Sequence, residues 1–188
     1  MCLDMYLEAE KYVGGYDHSI LAEREFFNNV LDAIGLSNFR CEEASSLTVS
    51  LHVAYWRKAN AIHKWFVDNI QGGKDECQKS YVTREQLQKL VDECKAVLNT
   101  VETVEGDIHI STIYHGDGRV EEKTEPGRVI AQTKIAEKKL PTQSGFFFGG
   151  TDYDEYYLRD LEQTVSQIEK VLKDERFNDF NFYYQASW

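Results

Sequence analysis

The spacing of apolar and polar positions changes several times along the chain, and each change marks a predicted element. From Met1 to Val13 the residues alternate, Leu3, Met5 and Leu7 on one side and Tyr6 on the other, as in a short strand that Gly14-Gly15 ends. Ser19 stands where an N-cap would, ahead of a helix over 20–34 whose Phe27, Val30, Leu31 and Ile34 share a face, with Gly35 as the stop. A polar loop, Ser37–Ser46, leads to a strand-like alternation over Leu47–Val53. That alternation merges into Val53–Ile70, which reads as a central helix. At about 100° per residue, Trp56, Asn60, His63 and Val67 form one stripe of it, with Arg57 and Lys64 along the edge. Gln71-Gly72-Gly73 closes this helix. In the next one Thr83 and Gln86 make a capping box, and Leu87, Leu90, Val91, Cys94, Val97 and Leu98 make the apolar face.

The period then returns to two. Gly106–Lys139 holds alternating segments around Gly116-Asp117-Gly118, which predicts an inserted β-hairpin of two or three strands projecting from a helical body. Leu140–Gly150 contains three consecutive phenylalanines between glycines, and two of those rings are expected to be buried. Thr151 is the expected cap of the last long helix, with Asp154 at the capping-box position and Tyr153, Tyr157, Leu161, Thr164, Val165, Ile168 and Leu172 facing inwards. Asp179–Trp188 alternates again and suits a final strand able to pair with the first. These elements predict an α+β fold, a mainly helical single domain over 1–188. Its small sheet comes from the terminal strands, and the hairpin of 106–139 is an insertion.

Composition narrows the function classes. The chain has 188 residues, a size that fits one domain, and 13% aromatic residues, so rings fill much of the expected core. A formal charge of −11 repels nucleic acid and anionic membranes at long range. No apolar run is long enough to span a bilayer, and the N-terminus lacks a basic segment followed by an apolar one. Cys2, Cys41, Cys77 and Cys94 show no C-x-x-C spacing, which removes zinc-ribbon and thioredoxin readings and points to reduced thiols in a cytoplasmic protein.

Charge also singles out one stretch. From Tyr55 to Phe66 the acidic chain carries Arg57, Lys58 and Lys64 with no acid, so Trp56, Arg57, Asn60, His63 and Lys64 are the candidate ligand-binding residues. An indole, an amide, an imidazole and flanking cations suit an anion or a planar polar ligand. The competing interpretation is a buried helix whose cations pair with the chain's own acids. Asp152, Asp154 and Glu155 are the candidate partners, and pairing of Arg57 with them is the favoured expectation. Gly149-Gly150-Thr151 lacks the Gly-Lys-Ser/Thr of a phosphate loop, and the acids that follow it would repel phosphate. His109-Ile-Ser111 is half of a two-histidine phosphoesterase pattern with no second half, and His18 lies in a turn beside Asp17. No nucleophile elbow and no metal-ligand spacing occurs, so neither metal nor cofactor is expected.

The motifs MCLDMYL, YWRKANAIHKWFVDNIQ-G-KD-C, Y-V-REQL, LPTQSGFFFG-T-YDEYY and YYQ-SW, spread over most of the chain, resemble a widespread family of small phage and prophage proteins. Gly14–Ser46 departs from that pattern, and Val101–Lys139 resembles an insertion where relatives have a short link. Some members carry the label phosphoglycerate kinase. This chain is too short for that two-domain enzyme and has none of its nucleotide-binding features. The resemblance implies a viral or prophage origin and the cytoplasm of a bacterial host, with no catalytic residues to carry over. The expected function is that of a phage accessory protein, non-catalytic, binding a host protein or a small anionic ligand, with counter-defence as one such role. The alternative is a small enzyme acting on a nucleotide-like metabolite with His63 as acid/base and Arg57 holding an anion. Binding is favoured because no nucleophile, metal cluster or paired carboxylates accompany His63.

Overall fold

The two ends of the chain lie side by side at the centre of the main sheet. In the computed structural model, which describes residues 2–16, 18–39 and 45–188, strand β1 (Asp4–Gly14) pairs antiparallel with β6 (Asn181–Ser187) on one side and with β2 (Ser46–Arg57) on the other. The three-residue β3 (Ser80–Val82) joins β6, giving the order β2-β1-β6-β3. Asp17, Cys41 and much of the predicted polar loop after Ser37 lie outside the described residues.

Register explains the core. Met5 stands opposite both Trp56 and Ala186, Leu7 opposite Ala54 and Tyr184, and Ala9 opposite Phe182, so these buried side chains share one face of the sheet. Helices α2 (Asn60–Asn69), α3 (Arg84–Leu98) and α5 (Glu155–Lys173) supply the rest of that core, including Ile62, Phe66, Leu87, Leu90, Leu161 and Ile168. Phe66 stacks on Tyr184 with ring centroids 3.8 Å apart and planes 5° from parallel. Helix α1 (Leu21–Ala33) covers the far end, where Phe27 and Leu31 meet Val13 in a separate small cluster. The long open edge of β2 is closed locally by α5. The Gln167 side chain accepts from Tyr55 N at 2.7 Å, and Gln163 donates to Tyr55 O at 2.9 Å, which blocks pairing there with another strand.

Several sequence expectations need correction. Among the described residues the fold is α+β with five α-helices and six strands in two antiparallel sheets, not mainly helical. The largest error is the central helix. Val53–Arg57 is the end of β2, Lys58 turns the chain at φ 61°, and the helix begins only at Asn60. Around Trp56 the two periods coincide: Ala54 and Trp56 are buried while Tyr55 and Arg57 are exposed, so alternation continued where a helical stripe also fits. Pairing of Trp56 with Met5 decided for the strand. Helix α1 has no side-chain cap from Ser19, since Ile20 takes that position. Helix α5 is capped by Asp154, not Thr151. The Asp154 carboxylate accepts from Tyr156 N at 2.9 Å and Tyr157 N at 3.1 Å. The capping box at Thr83 and Gln86 is formed in both directions.

The alternating segments after α3 form a two-stranded hairpin, β4 (Thr103–Tyr114) with β5 (Val120–Ile130), followed by the short α4 (Lys134–Lys139). Its base is closed by Ala131 N to Glu102 O at 2.9 Å and tied to the body through Ile130 N to Tyr153 O at 2.9 Å, and Ile108 is buried. Gly127 is required there, because a Cβ at that position would sit 2.0 Å from Ile108 Cδ1. Of the three consecutive phenylalanines only Phe148 is buried. Phe146 is 78% exposed and Phe147 51%, fewer buried rings than expected.

Candidate functional site

A cleft of about 480 Å³ opens where four segments converge: the β2–α2 turn, β4 of the hairpin, the 142–154 loop and the start of α5. The turn contributes Arg57, Lys58 and Asn60, β4 contributes His109 and Ile110, and the loop contributes Thr142, Gly149, Gly150, Asp152 and Asp154. Helix α5 adds Tyr156, Arg159 and Asp160.

Local chemistry fixes these walls. Lys58 takes a left-handed conformation that lysine rarely adopts, held by Lys58 N to Leu3 O at 2.8 Å and Asn60 N to Lys58 O at 2.9 Å. Gly149 makes room for it: its φ is +92°, and a Cβ there would meet Lys58 Cβ at 3.1 Å and Lys58 O at 3.2 Å. Asn60 then staples the loop to the helix. Its Nδ2 donates to Phe148 O at 3.3 Å and Gly150 O at 2.7 Å, and its Oδ1 accepts from Gln143 N at 3.0 Å. On the opposite wall the Trp56 indole donates to Thr164 Oγ1 at 2.8 Å, and Thr164 Oγ1 donates to Asp160 O at 2.7 Å, fixing the α5 turn that bears Arg159 and Asp160.

Of the five candidate residues, the structure brings Arg57 and Asn60 to the cleft and places the other three elsewhere. Arg57 is exposed. Its Nε donates to Cys2 Sγ at 3.4 Å, and among the described residues no ion pair joins it to Asp152, Asp154 or Glu155, so the expected carboxylate pairing is not formed. Trp56 is a core residue. Lys64 points away and pairs with Asp68 at 2.9 Å one helical turn on. His63 is fully enclosed: Nε2 lies 2.9 Å from Asp75 Oδ2, Nδ1 lies 2.7 Å from the Tyr184 hydroxyl, and Phe148 meets the ring edge-on. An ionised Asp75 can only accept, so the network assigns the hydrogen to Nε2 and has the Tyr184 hydroxyl donate to Nδ1. Trp188 Nε1 donates to the other Asp75 oxygen at 3.1 Å, so the relay runs from the enclosed imidazole out to an exposed indole just after the C-terminal strand. Burial pushes the Tyr184 phenol well above its usual range, with the Asp75 and Cys77 charges adding to the effect.

Sequence reasoning missed Lys58, His109, Arg159 and Asp160 as cleft residues. The last two lie on the polar side of an amphipathic helix, where charge ordinarily means solvent. Burial raises the Asp160 carboxyl to about 7, with Arg159 opposing and Asp154 reinforcing the shift. Asp154 is also raised, burial outweighing the two N–H groups it caps. Arg159 stacks over the Tyr156 ring, 4.9 Å from its centroid. Among the described residues no group of His, Cys, Asp or Glu is arranged to hold a metal ion, and no helix is long and apolar enough to cross a membrane. Comparison of the chain with protein-family models, with curated proteins and with solved structures finds no match.

Proposed function

We propose that this chain is a non-catalytic phage or prophage accessory protein whose cleft binds a small anionic ligand. One observation carries the reading. Arg57, Lys58 and Arg159 line the same cleft, and none of the three forms an ion pair among the described residues of a chain with charge −11. Asp152, Asp154 and Asp160 share the cleft, but burial raises the Asp154 and Asp160 carboxyls and so weakens them as counter-charges. An anion among the three cations still gains charge-assisted hydrogen bonds. The start of α2 adds to the attraction, since it has neither a capping side chain nor an acid in its first turn. Enclosure of His63 supports binding over the metabolite-enzyme alternative, because its ring does not line the cleft.

Calorimetric titration with inorganic phosphate and a panel of phosphorylated metabolites tests the proposal. Arg57→Ala and Arg159→Ala are expected to weaken binding by about tenfold or more, the worth of one charged hydrogen bond. Arg57→Ala should move the melting point little, since an exposed side chain with no carboxylate partner contributes within about 0.5 kcal/mol. Absence of binding by every anion, or variants that bind like the parent, sinks the reading. Capture of a host protein is the second reading. Phe146 and Phe147 favour it, exposed with their rings 4.2 Å apart, and Phe146→Ser with Phe147→Ser would abolish such capture while leaving anion binding intact.

A further inference from the structure

An anion site built only from cations would not need carboxyls among them, and this cleft has three, Asp152, Asp154 and Asp160. Asp160 lines it on α5, half-buried, and its carboxyl oxygens take no hydrogen bond among the described residues. The charged and titratable groups around the cleft are Arg57 and Lys58 after β2, His109 from β4, Asp152 and Asp154 from the loop, and Tyr156, Tyr157 and Arg159 from α5 itself. Asp154 is committed to capping α5 and Asp152 is exposed to solvent, so Asp160 is the half-buried acid of the cleft with free acceptor capacity, next to Arg159 on α5.

A carboxylate next to an anion site repels any oxyanion that has no hydrogen of its own. It forms a hydrogen bond with one that does, and a single shared hydrogen then joins the two acids. We propose that Asp160 makes the cleft selective for a hydrogen-bearing oxyanion, a phosphate or phosphoryl head group, against a fully ionised one such as sulfate. The inference rests on the anion reading of the cleft and goes further by naming the ligand chemistry. No bond to phosphorus is made or broken. The hydrogen stands on the ligand and is donated to Asp160 when the carboxyl is ionised, or on Asp160 and is donated to the ligand when it is not. Since burial holds the carboxyl near 7, both situations fall within an accessible pH range.

Titration of the full chain with inorganic phosphate and with sulfate, at pH 6 and pH 8, tests this. At pH 6 Asp160 carries a hydrogen and both anions are expected to bind. At pH 8 only about a tenth of Asp160 does, so sulfate affinity should fall by about tenfold, while hydrogen phosphate still donates and falls less. The readout is the ratio of the two affinities compared between the parent and Asp160→Asn, since the passage of phosphate from monoanion to dianion over this range acts on both proteins alike. Asp160→Asn, whose amide donates at either pH, should hold sulfate binding constant and bring the ratio close to one. Asp160→Ser repeats the test without an amide. Methyl phosphate at pH 6 separates two sources: binding as tight as phosphate marks a head group, weaker binding a free ion, and either outcome supports the selectivity. Equal phosphate and sulfate affinities at pH 8 in the parent, or an unchanged ratio in Asp160→Asn, overturns the inference while leaving the anion site standing. Failure of both anions to bind at pH 6 overturns the anion reading and this inference with it.

Discussion

At the scale of single residues, burial and partners decide what each polar group can do. His63, Asp75, Tyr184 and Trp188 form a relay in which each buried polar atom has a partner. Tyr184→Phe leaves His63 Nδ1 buried without a donor and is expected to cost about 1–3 kcal/mol, read from chemical denaturation at constant m-value. A loss below about 0.5 kcal/mol would mean that water reaches the imidazole. Asp160 behaves in the opposite way. Its carboxyl is raised from 3.8 to about 7, so between those values the folded state binds a proton that the unfolded state has released. Its contribution to stability is therefore fully present below about 3.8 and lost as pH rises through about 7. Asp160→Asn should raise the melting temperature more at pH 8 than at pH 4, and an equal shift at both would contradict the raised carboxyl. Glu169 runs the other way: Lys173 and Lys95 hold its carboxyl down to about 2, and that exposed contribution is lost only as pH falls from 4.5 towards 2.

At the scale of elements, the hairpin has two parts with different energetics. Its base is packed, with Ile108 1% exposed beneath Gly127, whereas its far end carries exposed Ile113, Tyr114 and Val120. Ile108→Ala is expected to cost about 2–5 kcal/mol, the usual range for truncating a buried isoleucine. Replacing Ser111–Glu122 with a two-residue Asn-Gly turn should change stability far less, because the removed strands bury little and loop length carries a small entropic cost. The comparison is made by thermal unfolding of both variants. A shortened hairpin that melts as low as Ile108→Ala would place part of the core in its tip.

For the whole molecule, closure of the sheet by the last strand dominates. β6 lies between β1 and β3 and delivers Phe182, Tyr184 and Ala186 to the core from the end of the chain. Partnering across nearly the full sequence gives the fold a high contact order, so the sheet forms only when both ends are present. A chain ending at Phe180 should lose cooperative unfolding and bind apolar dye. A sharp melting transition in that truncation would show that β1, β2 and the helices suffice.

Local chemistry legible in the sequence settled much of this fold. The alternation of Leu3, Met5 and Leu7, the capping box at Thr83 and Gln86, the Asp117-Gly118 hairpin turn and the apolar face of α5 all depend on near neighbours, so the chain itself specifies them. The sequence also marked Arg57 and Asn60, since an acid-free run in an acidic chain is visible without coordinates. Tertiary structure alone decided the rest. Val53–Arg57 fits either period, and only pairing with Met5 and Tyr6 made it a strand. Pairing in turn swung Trp56 into the core, away from Arg57, and gave His63 to Asp75 and Tyr184 instead of a ligand. The cleft was invisible for the same reason. Lys58, His109, Arg159 and Asp160 come from segments up to a hundred residues apart. Whether a charge on a helix faces water or a cleft depends on what packs beside it, not on its spacing along the chain.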